Sequence, residues 1–398
     1  MKIAGVICEF NPFHNGHQYM LQKVHEDGCS HVDVCMSGNF TQRGVPAVYD
    51  KYSRTAAALK NGADLVAELP VSFACAGAEK FAFGGVSVLD GLGCVDSLYF
   101  GSETGQTVKL LDIAEKLLSE EFSAALKQQL ADGCTFAAAR QKAVAALVGE
   151  ENASLLSAPN DTLGVEYIKA LLRLGSRMGP AAVLRRGAAH DDMRSLGQTA
   201  SAKLIRELMQ SGSQDYRCFI PENALREFDS SDAQPDFRGR EKALESVMLY
   251  RLRSMSREEI ALLPEISEGL ENRIYAAVRT SGSIEELIDG VKTKRYTYAR
   301  IRRILNYAML GITAEDHEKQ PAYIRILGFN EKGREILKEA GKKAKLPVII
   351  RCADIRTEAE KDMFRQECYA DDIYALSCQK PLPCGLTMTK PPVILRNY

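Results

Sequence analysis

No run of apolar residues in this 398-residue chain approaches the roughly 18–20 that a membrane-crossing helix needs. The opening Met1-Lys2-Ile3-Ala4-Gly5-Val6-Ile7 holds one charge and a strand-length apolar run, too short for a secretory leader. Net charge is missing too: 51 Lys and Arg stand against 52 Asp and Glu, a formal −1. That excludes a uniformly basic nucleic-acid-coating protein, though not a local basic face. The 11 cysteines contain no Cys-x-x-Cys pair, and no His-Glu-x-x-His occurs, so the usual zinc frameworks are absent. The lack of a Gly-x-x-x-x-Gly-Lys-Ser/Thr loop argues against a P-loop ATPase, and Gly91-Leu92-Gly93 lacks a third glycine at dinucleotide spacing. What is present is an ordinary globular composition, 45% hydrophobic and 26% charged. The expectation is a reduced, soluble, cytoplasmic protein of about two domains, with no membrane association.

Charge is spread unevenly. Residues 1–200 hold 18 basic and 22 acidic side chains; the remainder is more densely charged and slightly basic. That shift, with the helix-breaking Ser211-Gly212-Ser213-Gln214-Asp215, places a boundary near 210, giving regions 1–210 and 211–398. The first region alternates short apolar runs (Ile3–Cys8, Val32–Met36, Ala63–Leu69, Ser97–Phe100) with helical spacing at Asn15–Val24, after Asp50, and at Val108–Leu118. Such alternation implies βαβ units and a Rossmann-like parallel sheet, with ligands beyond the carboxyl ends of the strands. The second region reads as mainly helical, from Lys242 to Leu310. A small α/β unit follows: Tyr323–Leu327, a helix from Glu331 to Ala340, then Pro347–Arg351.

The loop after the first strand is Glu9-Phe10-Asn11-Pro12-Phe13-His14-Asn15-Gly16-His17. His14 and His17 are three apart at a helix start, so they share one side. Gly16 between them lets a ligand approach the backbone. The helix end offers unpaired N–H groups and partial positive charge, which suit phosphate, and two imidazoles there can donate hydrogen bonds as charge develops.

This arrangement resembles the HxGH nucleotidyltransferase superfamily, whose members attack a nucleotide α-phosphate and release pyrophosphate. Its second signature has a partial counterpart in Ala200-Ser201-Ala202-Lys203-Leu204-Ile205-Arg206, with Ser201 as hydroxyl and N-cap and Arg206 as guanidinium toward the outer phosphates. Further blocks narrow the match: Met36-Ser37-Gly38-Asn39-Phe40-Thr41-Gln42-Arg43-Gly44, Asp50-Lys51-Tyr52-Ser53-Arg54, Gly62-Ala63-Asp64 to Pro70, Phe100-Gly101-Ser102-Glu103, Pro159-Asn160-Asp161 and Arg185-Arg186-Gly187-Ala188. Together they look like the bacterial tRNA(Met) cytidine acetate ligase family along essentially the whole chain. One departure is Ala189-His190, where the family usually has Gly-Tyr.

The resemblance implies that acetate and ATP form acetyl-adenylate and pyrophosphate. The acetyl group then passes to N4 of cytidine 34 of elongator tRNA(Met), releasing AMP. It implies that His14 and His17 are catalytic. It also implies an ATP surface of Ile7, Cys8, Glu9, Phe10, Asn11, Pro12, Phe13, His14, Asn15, Gly16, His17, Gln18, Tyr19 and Met20, joined by Gly101, Asn160, Arg185, Ser201 and Arg206. Either Arg185 or Arg186 could make the arginine contact. Mg²⁺ is a reasonable companion of triphosphate, although no carboxylate cluster demands it and no metal ligand set is assigned.

Ser37, Asn39, Gln42 and Arg43 form a polar loop after a strand, suited to a carboxylate or triphosphate. Lys51 and Arg54 put positive charge at a helix start, which is unfavourable unless an anion is near, so they are expected to face nucleotide or tRNA. Glu68 and Glu103 carry no assignment. Lys292, Lys294, Arg295, Arg300, Arg302 and Arg303 fall within 12 positions with no acid between them, with Tyr296 and Tyr298 interleaved. Such a block suits RNA phosphates and base stacking. Arg251, Arg253 and Arg257 form a second cluster. Two other readings keep the fold: an adenylyltransferase making a small coenzyme, and a non-catalytic RNA-binding protein. The oligomeric state is not legible.

Overall fold

The computed structural model describes residues 1–131, 136–185, 199–231, 233–236, 239–267, 269–293 and 296–396. Among them, eight strands form one sheet: β1 (Ile3–Cys8), β2 (His31–Ser37), β3 (Leu65–Leu69), β4 (Ser97–Ser102), β5 (Gly179–Leu184), β6 (Ile324–Phe329), β7 (Val348–Ile349) and β8 (Val393–Ile394). The order is β5-β4-β1-β2-β3-β6-β7, with β8 beside β6. All pairings are parallel except β3 with β6. β1 and β2 are buried along their whole length, as expected for strands covered by helices on both faces.

Alternation along these strands feeds two cores. Ile3, Ile7, Cys35, Leu65 and Leu98 pack with the helices Ala78–Gly91 and Pro159–Leu174. Ala4, Val6, Val32, Val34 and Val66 pack on the other face, with the helices Asn15–Glu26 and Ala202–Ser211. A Cβ on Gly85 would lie 2.8 Å from Ile7, and one on Gly5 would lie 2.8 Å from Leu89, so the Ala78–Gly91 helix sits directly on β1.

The α/β unit near residue 323 does not stand apart. β6 adds antiparallel to β3, and the sheet therefore draws strands from both sides of position 210. Asp64 fastens this junction: its carboxylate accepts from the Val32 N–H at 2.9 Å and from Asn330 Nδ2 at 2.9 Å. The helices Arg240–Ser254, Leu270–Thr280, Ile284–Val291 and Tyr298–Leu310 bury a third core that also takes in Phe40, Val71 and Cys75 from the sheet side. No helix among the described residues is long and apolar enough to cross a membrane.

Asp33 lies mid-strand in β2, opposite Gly5 and Leu65, and no side chain among the described residues hydrogen-bonds its carboxyl oxygens. Burial pushes that group up to about 8, tempered only by the Val34 N–H. The folded chain therefore holds a proton that the unfolded chain releases near pH 4, and stability from this group falls as pH rises from 4 to 8. Asp33→Asn should remove up to about 1.4 kcal/mol per pH unit of that slope. Urea unfolding at pH 5 and pH 8 measures it; an unchanged slope in the variant would show that Asp33 is ionised in the folded protein.

Candidate active site at the carboxyl ends of the strands

β1 ends at Cys8, and the chain turns sharply through Phe10, a non-glycine residue held at φ +46°. Its ring packs on Phe13 at 4.8 Å and on His17 at 4.8 Å. His14 is the N-cap of the helix Asn15–Glu26, and its Nδ1 accepts the Gly16 N–H at 3.1 Å. His17 reciprocates: its Nδ1 accepts the His14 N–H at 3.2 Å. The two rings stack at 3.7 Å. Burial lowers the His14 pKa to about 3, helped by the charges of Arg185 and Arg206; burial, His14 and Arg185 hold His17 well below its usual value too. Both rings are therefore neutral. A neutral imidazole whose Nδ1 accepts must carry its proton on Nε2, so each presents one Nε2–H donor. A Cβ on Gly16 would lie 2.9 Å from His14 Cε1, so any side chain there displaces the ring.

Three other segments converge on this turn. Arg206, in the helix capped by Ser201, donates to the Asn11 carbonyl at 2.7 Å, and Ser201 Oγ accepts the Leu204 N–H. Arg185 follows β5, and its side chain lies across Gly101, with Cγ 3.5 Å from the position of a Cβ there. Its Nη1 donates to Asn160 Oδ1 at 3.2 Å. Asn160 is held in turn by Glu103, whose carboxylate accepts the N–H groups of Asn160 at 3.2 Å and Asp161 at 2.9 Å, and Asn160 Nδ2 at 2.5 Å. Glu103, unassigned above, thus caps the helix Pro159–Leu174 and orients Asn160. No local pattern could reveal this, since the partners are far apart in sequence. Gly101, Asn160 and Arg185 lie together and close enough to His14 and His17 for Arg185 to depress both rings. Arg186 and residues 187–190 lie outside the described residues.

Along the first loop, Ile7 and Cys8 have their side chains in the cores, and Pro12 is buried. Asn11 Oδ1 accepts the Val48 N–H at 2.7 Å, and Glu9 accepts the Gln42 N–H at 2.7 Å, so this turn is tied to the loop after β2. Asn15 reaches the Cys218 carbonyl, and Gln18 reaches Asn61. Tyr19 and Met20 are half-buried on the same helix.

The residues expected to hold substrate divide. Ser37 and Asn39 are buried, Gln42 is half-buried and Arg43 is exposed. Lys51 and Arg54, expected to face an anionic ligand, are fully buried. Lys51 pairs with Glu68 and Asp371, each at 2.6 Å. Arg54 donates to the carbonyls of Glu9 (2.6 Å), Ser37 (3.0 Å), Tyr49 (2.9 Å) and Gly38. The positive charge at this helix start is matched by protein acceptors, with Asp50 as N-cap. Arg54 thereby clamps the exits of β1 and β2 together. Among the described residues, no group of three or more His, Cys, Asp or Glu is placed to hold a metal ion.

The basic block lies on the helix Tyr298–Leu310, against the loop after β2: a Cβ on Gly44 would sit 3.2 Å from the Arg302 carbonyl. Acids absent from the block arrive from elsewhere. Arg303 pairs with Glu265 at 2.6 Å, Arg302 lies 3.8 Å from Glu241, and Arg300 donates to the Glu265 carbonyl and Ser267. Tyr296 is buried beneath Arg300. Lys292 and Tyr298 are exposed; Lys294 and Arg295 lie outside the described residues.

This geometry agrees with three comparisons. A family described as HIGH Nucleotidyl Transferase matches residues 1–384. The tRNA(Met) cytidine acetate ligase of Thermoanaerobacter sp. (strain X514) is 40% identical over 401 residues, covering 98% of this chain and 99% of the relative. The ligase of the same name from Caldanaerobacter subterraneus subsp. tengcongensis is 40% identical over 385 residues, covering 95% and 96%. The crystal structure of Thermotoga maritima TmcAL bound with alpha-thio ATP matches with a TM-score of 0.91 at 33% identity, covering 100% of both chains. With its paired imidazoles at the β1 exit and this similarity along its whole length, the chain belongs to the HIGH nucleotidyltransferase family and, within it, to the tRNA(Met) cytidine acetate ligases.

Proposed function

We propose that this protein activates acetate with ATP and acetylates N4 of the wobble cytidine, position 34, of elongator tRNA(Met). In the first step an acetate oxygen attacks the α-phosphorus, the bond to the outer two phosphates breaks, and acetyl-adenylate and pyrophosphate form. In the second, the cytidine amino nitrogen attacks the acetyl carbon, AMP leaves, and the amino group loses a proton. The observation that carries this reading is the pair of neutral imidazoles at a helix N-terminus, flanked by Arg185 and Arg206.

Acetate is a weak nucleophile, so the barrier must fall through positioning and charge stabilisation. His14 and His17 donate Nε2–H to phosphate oxygens as charge develops, and the helix end adds its partial positive charge. Arg206 and Ser201 serve the outer phosphates. Gly101 lets the nucleotide pass close to the backbone, Asn160 hydrogen-bonds it, and Arg185 pairs with phosphate. Ser37, Gln42 and Arg43 border the acetate side, with Asn39 holding Asp371 and the Lys51 N–H behind them. Lys51 and Arg54 act through packing and loop position. Residues 1–210 carry the catalytic machinery, and the helical part of 211–398 carries RNA contacts, with the reaction in the cytoplasm. The decisive experiment is nucleoside analysis of tRNA(Met) incubated with the protein, ATP and acetate: N4-acetylcytidine at position 34 is expected, and its absence with active ATP turnover would refute the assignment.

Two outcomes follow for the site. His14→Ala and His17→Ala should each lower adenylate formation by about 10²–10³-fold while tRNA affinity changes less than about twofold; a variant forming acetyl-adenylate at the normal rate would remove that residue from the mechanism. The depressed pKa values also fix a pH sign. Unfolded histidine takes up a proton near 6.5, whereas buried His14 resists until about 3, so stability from this ring is present above pH 6.5 and lost as pH falls toward 3. ATP affinity should show no titration step between pH 6 and 8 beyond that of the terminal phosphate of ATP itself; an additional step that His14→Asn or His17→Asn removes would show a solvated ring.

For RNA, Arg303 is a poor probe, because its loss strands Glu265. Lys292→Ala with Arg302→Gln should reduce the slope of log affinity against log salt by roughly 1–2. An unchanged slope would place the tRNA elsewhere.

A further inference from the structure

A second cleft lies away from the nucleotide turn, where β6 meets the last segment of the chain. Ile326, Ile349, Phe364, Met388 and Pro392 give it apolar walls, and Tyr52, Arg325 and Lys390 line it with polar groups. It holds about 160 Å³.

Its polar groups are incompletely used. Tyr52 is 7% exposed and Arg325 9%. The Tyr52 hydroxyl and Arg325 Nη1 have no hydrogen-bond partner among the described residues. Arg325 spends Nη2 on the Thr387 carbonyl at 2.9 Å, while Nη1 stands 3.6 Å from Glu68, too far for a hydrogen bond. Of the nearby acids, Asp371 pairs with Lys51 and Asp354 with Arg351, while Glu68 gives Oε1 to Lys51 and leaves Oε2 without a hydrogen-bond partner beside Arg325 Nη1. Lys390 reaches over the Tyr52 ring, 4.9 Å from its centroid, with Asp50 4.0 Å away. Arg325 lies over Phe364 at 5.4 Å. A buried hydroxyl without a partner, a guanidinium nitrogen held only by a long ion pair to Glu68, a nearby ammonium group and apolar walls form a set that an anionic acceptor on an apolar body would complete.

We propose that this cleft binds a small organic anion, a carboxylate or phosphate group on a compact apolar frame, with Tyr52 and Arg325 as its donors and Lys390 as its outer cation. This site is separate from the nucleotide turn, and the Lys51–Glu68–Asp371 cluster lies beside it.

The chain contains no tryptophan, so Phe364→Trp places a single, selectively excitable indole in the cleft wall. That variant would be titrated with sodium butyrate and with phenyl phosphate at constant ionic strength. A saturable fluorescence change is expected with at least one, and the ligand that gives it identifies the anion class. Adding Tyr52→Phe or Lys390→Ala should weaken that binding at least tenfold. Because the Tyr52 hydroxyl has no partner, Tyr52→Phe should leave the thermal midpoint of the ligand-free protein unchanged or raised. Should Phe364→Trp fail to fold, the ligand-induced thermal shift of the natural chain, compared with Tyr52→Phe, reads the same binding. No saturable response to either probe, a shift fully retained in Tyr52→Phe, or a lower midpoint of that variant without ligand would each overturn the proposal.

Discussion

The site depends on a reciprocal hydrogen bond within one helical turn. His14 caps the helix through Nδ1, and His17 returns the contact to the His14 backbone. Each bond uses the ring nitrogen that would otherwise compete as an acceptor, so each fixes the tautomer. Burial then removes the charged form. The result is a pair of neutral donors whose protonation does not change across physiological pH, set on a helix end that favours anions. Gly16 belongs to the same device, because a side chain there would occupy the space of the His14 ring.

Holding that turn against the neighbouring loops falls to buried cations rather than to apolar packing alone. Arg54 gathers carbonyls from Glu9, Tyr49, Ser37 and Gly38, so the exits of β1 and β2 move as one piece. Arg240, from the helical half, donates to the Val48 carbonyl at 2.8 Å and the Ser377 carbonyl at 3.3 Å. Lys51 draws in Asp371 from the helix Glu358–Ala375. A buried charge stripped of its partners costs about 3–5 kcal/mol, so each clamp is intolerant of change without touching a ligand. Through these contacts the late part of the chain becomes structural support for a turn encoded in its first twenty residues.

What the sequence revealed and what it hid follow the range of the interactions. The β1 exit was legible because its signals are local: an apolar strand, His-Asn-Gly-His, and a helix start within a few positions. The Asp50 cap and the Ser201 cap were legible for the same reason, and both appear as hydrogen bonds. The burial of Lys51 and Arg54 was not, because their partners Asp371 and the Ser37 carbonyl are brought by the sheet and by a helix more than three hundred residues away. The ion pairing of the basic block was hidden in the same way: no acid interrupts it in sequence, yet Glu265 from a turn and Glu241 from another helix reach it. The attachment of β6 to β3 escaped too, since periodicity marks a strand and not its neighbour.

The most direct test is nitrogen-15 NMR of the imidazoles in the full-length protein, with His14 and His17 assigned by single substitutions. Both rings should show the Nε2–H tautomer, without titration between pH 5 and 8, and both Nε2 signals should shift on addition of a non-hydrolysable ATP analogue. A ring that titrates near pH 6.5, or Nε2 signals indifferent to the nucleotide, would contradict the account of this turn as a neutral phosphate-binding pair.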